Sequence, residues 1–455
     1  MKMAFTDVVL FITAIVIAGC GNNTSTKNLT ATVLYDATII DGNGGAPLQH
    51  ASIRIEGDSI TDVGEHIDTA NATVIHLKGK TIMPALISAH VHIGTLKGTN
   101  TKPENYTRNN ILSQLKKYED YGIENILVMG TDRPMLFQSG LRDSSVNGLL
   151  PGARLYSAGY GFNVPQAGGP ITSVMDQLFR PDSPQQVPAE LDSVAAVKPT
   201  VLKMWVDDFG GTTPKMDPAI YKAIIDEAHK RNLRVAAHLY YLSDARKLVA
   251  DGLDIIAHSI RDSVIDDALL KEMKAKHVAY IPTLSLDEFA FMYAQKPAWI
   301  NDEFFKASLE PGVYEMITSS AYQNGLKNSP SYERNMKGFE TALKNLKKIY
   351  DAGILVALGT DSGATPVRAQ GFSEHNELAL MVQAGLTPTQ AISIATKNAA
   401  ALLQIDDRFG TIEKGKIADL VILNANPFDD IKNTRKIDAV YKAGIKVSNG
   451  VKYND

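Results

Sequence analysis

Residues 84–94 read PALISAHVHIG, an apolar run that ends in two histidines one residue apart, just before a glycine. Strand side chains alternate between faces, so in a strand His90 and His92 point the same way. Two imidazoles on one side can share one metal ion. Taken alone, the pair is equally compatible with an ordinary strand end.

Seven more apolar runs follow, separated by segments of helical character: ENILVMG (124–130), ARLYSAG (153–159), VLKMWV (201–206), RVAAHLY (234–240), DIIAHSI (254–260), AYIPTLS (279–285) and LVALGTD (355–361). PAIYKAIIDEAHKRN and LSDARKLVADG, between the fourth and sixth runs, carry a helical pattern. Strands alternating with helices are the sequence form of βα units. Eight of them predict a (β/α)8 TIM barrel over residues 84–401, with its active site at the C-terminal ends of the strands. Residues 31–83 and 402–455 show short apolar alternations punctuated by Gly and Asp, such as ASIRIEGDSITDVG and GTIEKGKIADLVILN. They predict a small β-sandwich domain built from both chain ends. Segments 162–198 and 286–346 are too long for simple loops and are expected to form lids or extra helices over the active face. An open doubly wound sheet is disfavoured, because no glycine-rich phosphate fingerprint follows the first strand.

The barrel reading gives the other strand ends a meaning. Lys203 sits inside an apolar strand, an expensive place for a charge, and burial there favours the neutral amine. The plainer alternative is a lysine that reaches solvent or pairs with Asp207 or Asp208. His238 and His258 end the next two strands, and Asp361 ends the last. Each alone is compatible with a structural role. Five of eight strands carrying such groups at the same end is a pattern that chance does not readily supply. His229 and His277 lie in surface-like helical contexts, and His50, His66 and His76 in the small sheet domain, so those five are read as ordinary residues.

The order His-x-His, Lys, His, His, Asp along successive strands resembles the amidohydrolase superfamily, over residues ~30 to ~450. ATKNAAALLQIDDRFGTIEKGKIADLVILNANP, from Ala395, is similar to the family's C-terminal return into its small β-sandwich. The nearest branches in pattern are the binuclear prolidase-like and imidazolonepropionase-like proteins. The resemblance implies a metal-dependent hydrolase that cleaves an amide bond through a hydroxide shared by two divalent ions. His90, His92 and Asp361 would bind the first ion, and His238 and His258 the second. Lys203 would be carboxylated by CO2 and bridge both. Asp361 would act as general base and then acid. Zinc suits this ligand set, as manganese and iron also do. Two strands depart from the family: the first reads Pro84-Ala85-Leu86-Ile87-Ser88 where the family usually has Pro-Gly-Leu-Ile-Asp, and the sixth reads Ile256-Ala257-His258-Ser259 where prolidase-like members have Ile-Glu-His-Gly. Neither Ser88 nor Ala257 is a ligand in the pattern, so only packing is expected to change.

The resemblance also implies a small substrate with a free carboxylate, such as a dipeptide or an N-acyl amino acid. Tyr240, two residues after His238, shares its direction and would hold that carboxylate. Arg261 could form a bidentate pair with the same group, or else a surface pair with Asp262 or Asp266. His375, expected in the loop after Asp361, is a further candidate contact. The alternatives are a lactonase or esterase, a mononuclear cyclic-amide hydrolase or deaminase of the same superfamily, and a non-enzymatic surface lipoprotein.

With 46 Lys plus Arg against 50 Asp plus Glu, the net charge is −4, which gives no reason to expect nucleic acid as a partner. A homo-oligomer is compatible with the sequence. The N-terminus, MKMAFTDVVLFITAIVIAGCGNN, has an apolar run from Val8 to Ala18, too short to span a bilayer, and then IAGC. It resembles a lipoprotein signal over residues 1–19. Cys20, the only cysteine, would be lipidated, with 20–30 as a tether. The protein is then expected in the envelope of a Gram-negative bacterium, touching membrane only through its lipid anchor. A single cysteine excludes an internal disulfide.

Overall fold

The computed structural model describes residues 31–165 and 174–453. The expected signal, Cys20 and the tether lie outside the described residues, as do 166–173 in the first long insertion. No helix among the described residues is long and apolar enough to cross a membrane.

The fold is mixed α/β. The N-terminal part forms β1 (Ala31–Ile39), β2 (Leu48–Glu56), β3 (Ser59–Gly64), β4 (Ala72–His76) and β5 (Thr81–Pro84). There follow β6 (Leu86–Val91), a short hairpin of β7 (Leu96–Lys97) and β8 (Asn100–Thr101), β9 (Ile123–Val128) and β10 (Arg154–Ser157). Next come β11 (Leu202–Trp205), β12 (Val235–His238), β13 (Ile255–Ala257) and β14 (Ala279–Ile281). The chain returns in β15 (Leu420–Leu423), β16 (Ile437–Lys442) and β17 (Ile445–Ser448).

The two ends of the chain share one sheet, in the order β17-β16-β15-β5-β1-β2-β3, with β4 parallel to β1. β5 lies between the two halves: Ile82 pairs with Ile39 of β1 on one side and with Ile422 of β15 on the other. Leu34, Ile53, Ile82, Leu420 and Ile422 form its own buried apolar cluster. Burial of such side chains contributes roughly 1.5–3 kcal/mol each, and this explains why the alternating segments at both ends come together.

The middle of the chain forms parallel strands. β6, β9 and β10 make one set, and β11 to β14 another in sequence order. β6 and β9 are buried along their whole length, as parallel strands covered on both faces must be. Segment 355–362 hydrogen-bonds to both sets: the Ala89 amide donates to the Leu358 carbonyl (2.7 Å), and the Tyr280 amide to that of Leu355 (2.9 Å). Phe162 connects the far sides, its amide donating to the Lys203 carbonyl and its carbonyl accepting from Trp205, both at 2.9 Å.

The expected eighth strand is less regular than its pattern implied. It pairs only at Val356 and Ser362. A Cβ on Gly359 would stand 2.4 Å from the Ile281 side chain and 2.7 Å from that of His90, and Asp361 adopts a positive φ of 59°. The backbone there is bent to press against its neighbours, which interrupts the ladder.

Helices cover the parallel strands. In Pro218–Lys230, Asp217 caps the N-terminus by accepting from the Ala219 amide, and Pro218 opens the first turn. Ile220, Tyr221, Ile224, Ile225 and Ala228 form its buried stripe. The second insertion is helical, as expected, and ends in the 20-residue helix Tyr332–Asp351.

Candidate metal centre

His90 and His92 come from β6 and the residue beyond it, and both are buried. Their Nε2 atoms lie 3.2 and 2.8 Å from one oxygen, Oδ1, of Asp361. One ligand atom from each of the three lies within 4.8 Å of the others, a spacing that suits a single cation. His258 adjoins this group, its ring centre 4.5 Å from that of His90 and 4.3 Å from that of His238. All four imidazoles therefore meet at one place, near enough to Lys203 for its charge to act on His90, His238 and His258.

Hydroxyls aim two of these rings. His92 Nδ1 contacts Thr131 Oγ1 at 2.7 Å, and His258 Nδ1 contacts Thr283 Oγ1 at 2.9 Å. This frees both Nε2 atoms toward the cluster, as metal-binding histidines require. His238 differs, with Nε2 placed 3.2 Å from Asp207 Oδ1. Both nitrogens of His90, Nδ1 of His238 and Nζ of Lys203 are buried without a hydrogen-bond partner. Unpaired buried polar atoms are costly and rare, and so many in one cluster fit a place built for cations.

The electrostatics agree. Burial lowers the Lys203 pKa to about 7, so its amine is neutral for much of the time near neutrality. Its side chain is fully buried and forms neither of the expected pairs with Asp207 or Asp208. Burial, then the charge of Lys203, hold His90 well below the usual imidazole range. Burial, His238 and His90 do the same for His258. Neutral imidazole is the ligating form. Burial works to raise the Asp361 pKa, but Arg368 and the two histidines overcome it and keep the carboxyl ionised. Arg368 Nη1 donates to Asp361 Oδ2, so the two oxygens face different partners.

His92, His238, His258 and Asp361 open into a cavity of about 290 Å³ whose walls include Trp205, Tyr240 and Arg261. Other clefts are larger, at about 340, 500, 620 and 630 Å³. None of them gathers groups of this kind, so chemistry rather than size identifies the site. Tyr240 lines the cavity as expected. Arg261 does too, but it makes neither expected surface pair. It donates to Asp287 Oδ1 at 2.5 Å and lies 4.8 Å from the Tyr240 ring, while Asp266 pairs with Arg246 instead.

His375 corrects an expectation. It lies in the helix Phe372–Gln383, not in a loop, and is buried away from the cavity. Its Nε2 contacts the Tyr121 carbonyl at 2.8 Å and its Nδ1 the Thr434 hydroxyl at 3.0 Å. A register one turn into a helix turned it from the site toward the core. Ser88 answers its departure from the pattern by contacting Glu374, Oγ to Oε1 at 3.2 Å. That carboxylate also accepts from Thr360 (2.6 Å) and Ser362 (2.9 Å), the residues flanking Asp361, and from the Gly371 amide (2.9 Å). Arg334, Arg368, Asp287 and Glu374 all escaped the sequence reading. Only Arg368 left a signal there, through its nearness to Asp361 in the chain.

Comparison with known proteins agrees with this architecture. The amidohydrolase family model matches residues 81–447. The chain is 24% identical to ochratoxinase of Aspergillus niger, over 92% of its own length and 87% of that relative's. It is 38% identical to imidazolonepropionase of Deinococcus deserti over a 107-residue stretch, 22% of this chain and 26% of the relative. Its structure superimposes on that of a Xaa-Pro dipeptidase with bound methionine at a TM-score of 0.71 and 23% identity, covering 91% and 99% of the two chains. With a family match that runs from β5 through the histidine cluster to β17, the chain belongs to the amidohydrolase family and is a hydrolase of amide bonds in small substrates.

Proposed function

We propose that the enzyme cleaves the amide bond of a small carboxylate-bearing substrate, a dipeptide or an N-acyl amino acid, at a binuclear metal centre. The observation that carries this is the convergence of His90, His92, His238, His258 and Asp361 on a buried, unpartnered Lys203. In this reading, His90, His92 and Asp361 would hold one ion and His238 and His258 a second, and Lys203, carboxylated on its neutral amine, would supply a further carboxylate ligand. Zinc is the preferred ion. When bound, such ions supply Lewis acidity toward the scissile carbonyl and toward the attacking water.

The chain's own residues do the rest. Asp361 takes the proton of the attacking water and returns it to the leaving nitrogen. Arg368 holds the second oxygen of that carboxylate and so fixes its direction. Burial of Asp361 and of His90, His92 and His258 makes these charge interactions stronger than they would be in bulk water. Around this site, the parallel segments between residues 84 and 401 close as a (β/α)8 barrel. Residues 31–83 and 402–455 form the accompanying β-sandwich domain.

Purified full-length protein should contain two divalent ions per chain and hydrolyse N-acyl amino acids or dipeptides faster than lactones and esters. A protein with one ion per chain, or with a preference for lactones, would overturn the binuclear amidase reading in favour of a mononuclear or lactonase one. We also propose that Cys20 is lipidated and anchors the enzyme in a bacterial envelope, from the IAGC motif after the Val8–Ala18 run. Wild type expressed in a lipoprotein-processing host should partition into detergent and Cys20→Ser should not; equal partitioning would refute the anchor.

A further inference from the structure

Three arginines line the cavity: Arg261, Arg334 and Arg368. They are not equivalent. Arg261 is matched by Asp287 and Arg368 by Asp361, so an anion approaching either one meets a carboxylate already there. Arg334 forms no ion pair and no hydrogen bond among the described residues, and its guanidinium lies 5.7 Å from the Tyr240 ring.

Its position is not explained by its helix. Arg334 is the third residue of Tyr332–Asp351, where the helix dipole presents its positive end and disfavours a cation. It is not explained by loose packing either. A Cβ on Gly210, in the loop after β11, would stand 2.8 Å from Arg334 Nη1. That glycine leaves room for the guanidinium at the cavity edge. The Tyr240 hydroxyl, also without a hydrogen-bond partner among the described residues, is available beside it.

The opposite character is present in the same cavity. Met175, Trp205, Phe209 and Leu286 line it. Met175 and Trp205 belong to a small buried apolar cluster, against which Phe209 packs. A site with one unmatched cation and an apolar, aromatic wall suits a ligand with one anionic end and one bulky apolar end.

We infer that Arg334 is the receptor for the substrate carboxylate, and that the substrate is an amide carrying both that carboxylate and an aromatic or bulky apolar group. The inference rests on the amide-hydrolase reading above. It moves the carboxylate contact from Arg261, whose charge is already matched within the fold, to the second long insertion. Arg334 is then a specificity-determining residue, distant in sequence from every metal-site residue.

The test uses full-length wild type, Arg334→Met and Arg334→Lys. Binding of N-benzylglycine, a carboxylate with an aromatic group and no scissile amide, is measured by calorimetry on each. Turnover is measured on N-benzoyl amino acids and on their C-terminal amides. Losing a charge-assisted contact should weaken N-benzylglycine binding roughly 10- to 100-fold in Arg334→Met. Arg334→Lys should recover part of this, since it keeps charge but not the two-pronged geometry. Turnover of the acids should fall by a similar factor, mainly through KM, while the amidated analogues change little. Equal binding by wild type and Arg334→Met would overturn the assignment, as would an equal loss on acids and amides. Wild type that binds N-benzylglycine through Arg334 yet hydrolyses no amide would instead overturn the amide reading and leave the carboxylate receptor standing.

Discussion

Glu374 makes no contact with the proposed ligands' donor atoms, yet its replacement by glutamine should disturb both stability and catalysis. Its carboxylate receives three hydroxyls on Oε1, from Ser88, Thr360 and Ser362, and the Gly371 amide on Oε2. Thr360 and Ser362 flank Asp361, whose φ of 59° is a conformation that ordinary residues adopt only at some cost. In Glu374→Gln, one oxygen becomes an NH2. Directed at Oε2, it opposes the Gly371 N–H; directed at Oε1, it opposes three hydroxyls. The first arrangement leaves one buried donor unmatched, which costs about 1–3 kcal/mol. Burial pushes the Glu374 pKa up, against the pull of the Thr360 and Ser362 hydroxyls, so the neutral amide also relieves some charge desolvation. The net loss should fall at the low end, about 1–2 kcal/mol. A shift of Asp361 by a fraction of an ångström adds a catalytic loss of roughly tenfold or more. Urea denaturation, with kcat measured on the same preparations, checks both. Glu374→Asp, which keeps the charge on a shorter arm, should retain more stability than Glu374→Ala. If Glu374→Gln unfolds at the wild-type urea midpoint and turns over at the wild-type rate, the bracket around Asp361 has no mechanical role.

Three further outcomes are expected. Lys203→Ala should lose metal and most activity, while Lys203→Glu keeps part of its metal; an alanine variant with two ions per chain by elemental analysis would contradict a bridging lysine. His375→Leu should leave substrate selectivity unchanged but alter acid stability. Burial lowers the His375 pKa to about 3, so the unfolded chain binds the extra proton first as pH falls below about 6.5, and stability declines from there toward pH 3 at up to about 1.4 kcal/mol per pH unit; this part of the slope should vanish in the variant's pH-resolved urea curves. Arg154→Met should cost about 3–5 kcal/mol, because it strips Asp419 of a buried partner 2.5 Å away, and a second change at Asp419 should recover part of the loss in the same denaturation assay.

The site's frame was readable because its clustered side chains stand at the ends of local patterns. His90, His92, Lys203, His238 and His258 each close or interrupt an apolar run of a few residues, and period-two alternation says which way they face. The eighth segment was readable for its aspartate but not for its irregular pairing, because that bend depends on the contact of Gly359 with His90 and Ile281. Asp287 meets Arg261 and Glu374 meets Ser88 across the fold, and Arg334 borders the cavity without an ionic or hydrogen-bonded partner among the described residues, so no periodicity records their placement. His375 misled for a related reason. Its distance from Asp361 in sequence is short, but the helix that begins at Phe372 carries it to Tyr121 and Thr434. The position of the first parallel strand followed from its sequence, whereas the partner of Ser88 had to be seen in three dimensions.

The central place of β5 in the shared sheet has a consequence for how the molecule is made. Residues 81–84 lead directly into the strand that carries His90, yet one of their two ladders is completed only by residues 420–423. While the chain is being synthesised, β5 has β1 to pair with and an open edge on its other side. That edge stays available for wrong partners until the last part of the chain arrives, the circumstance in which strands aggregate. Such a distant pairing slows folding, because a very long loop must close before the contact forms. The sheet is therefore a late clasp on the nascent enzyme, and expression yield should respond to chaperone supply more than to changes in the catalytic cavity.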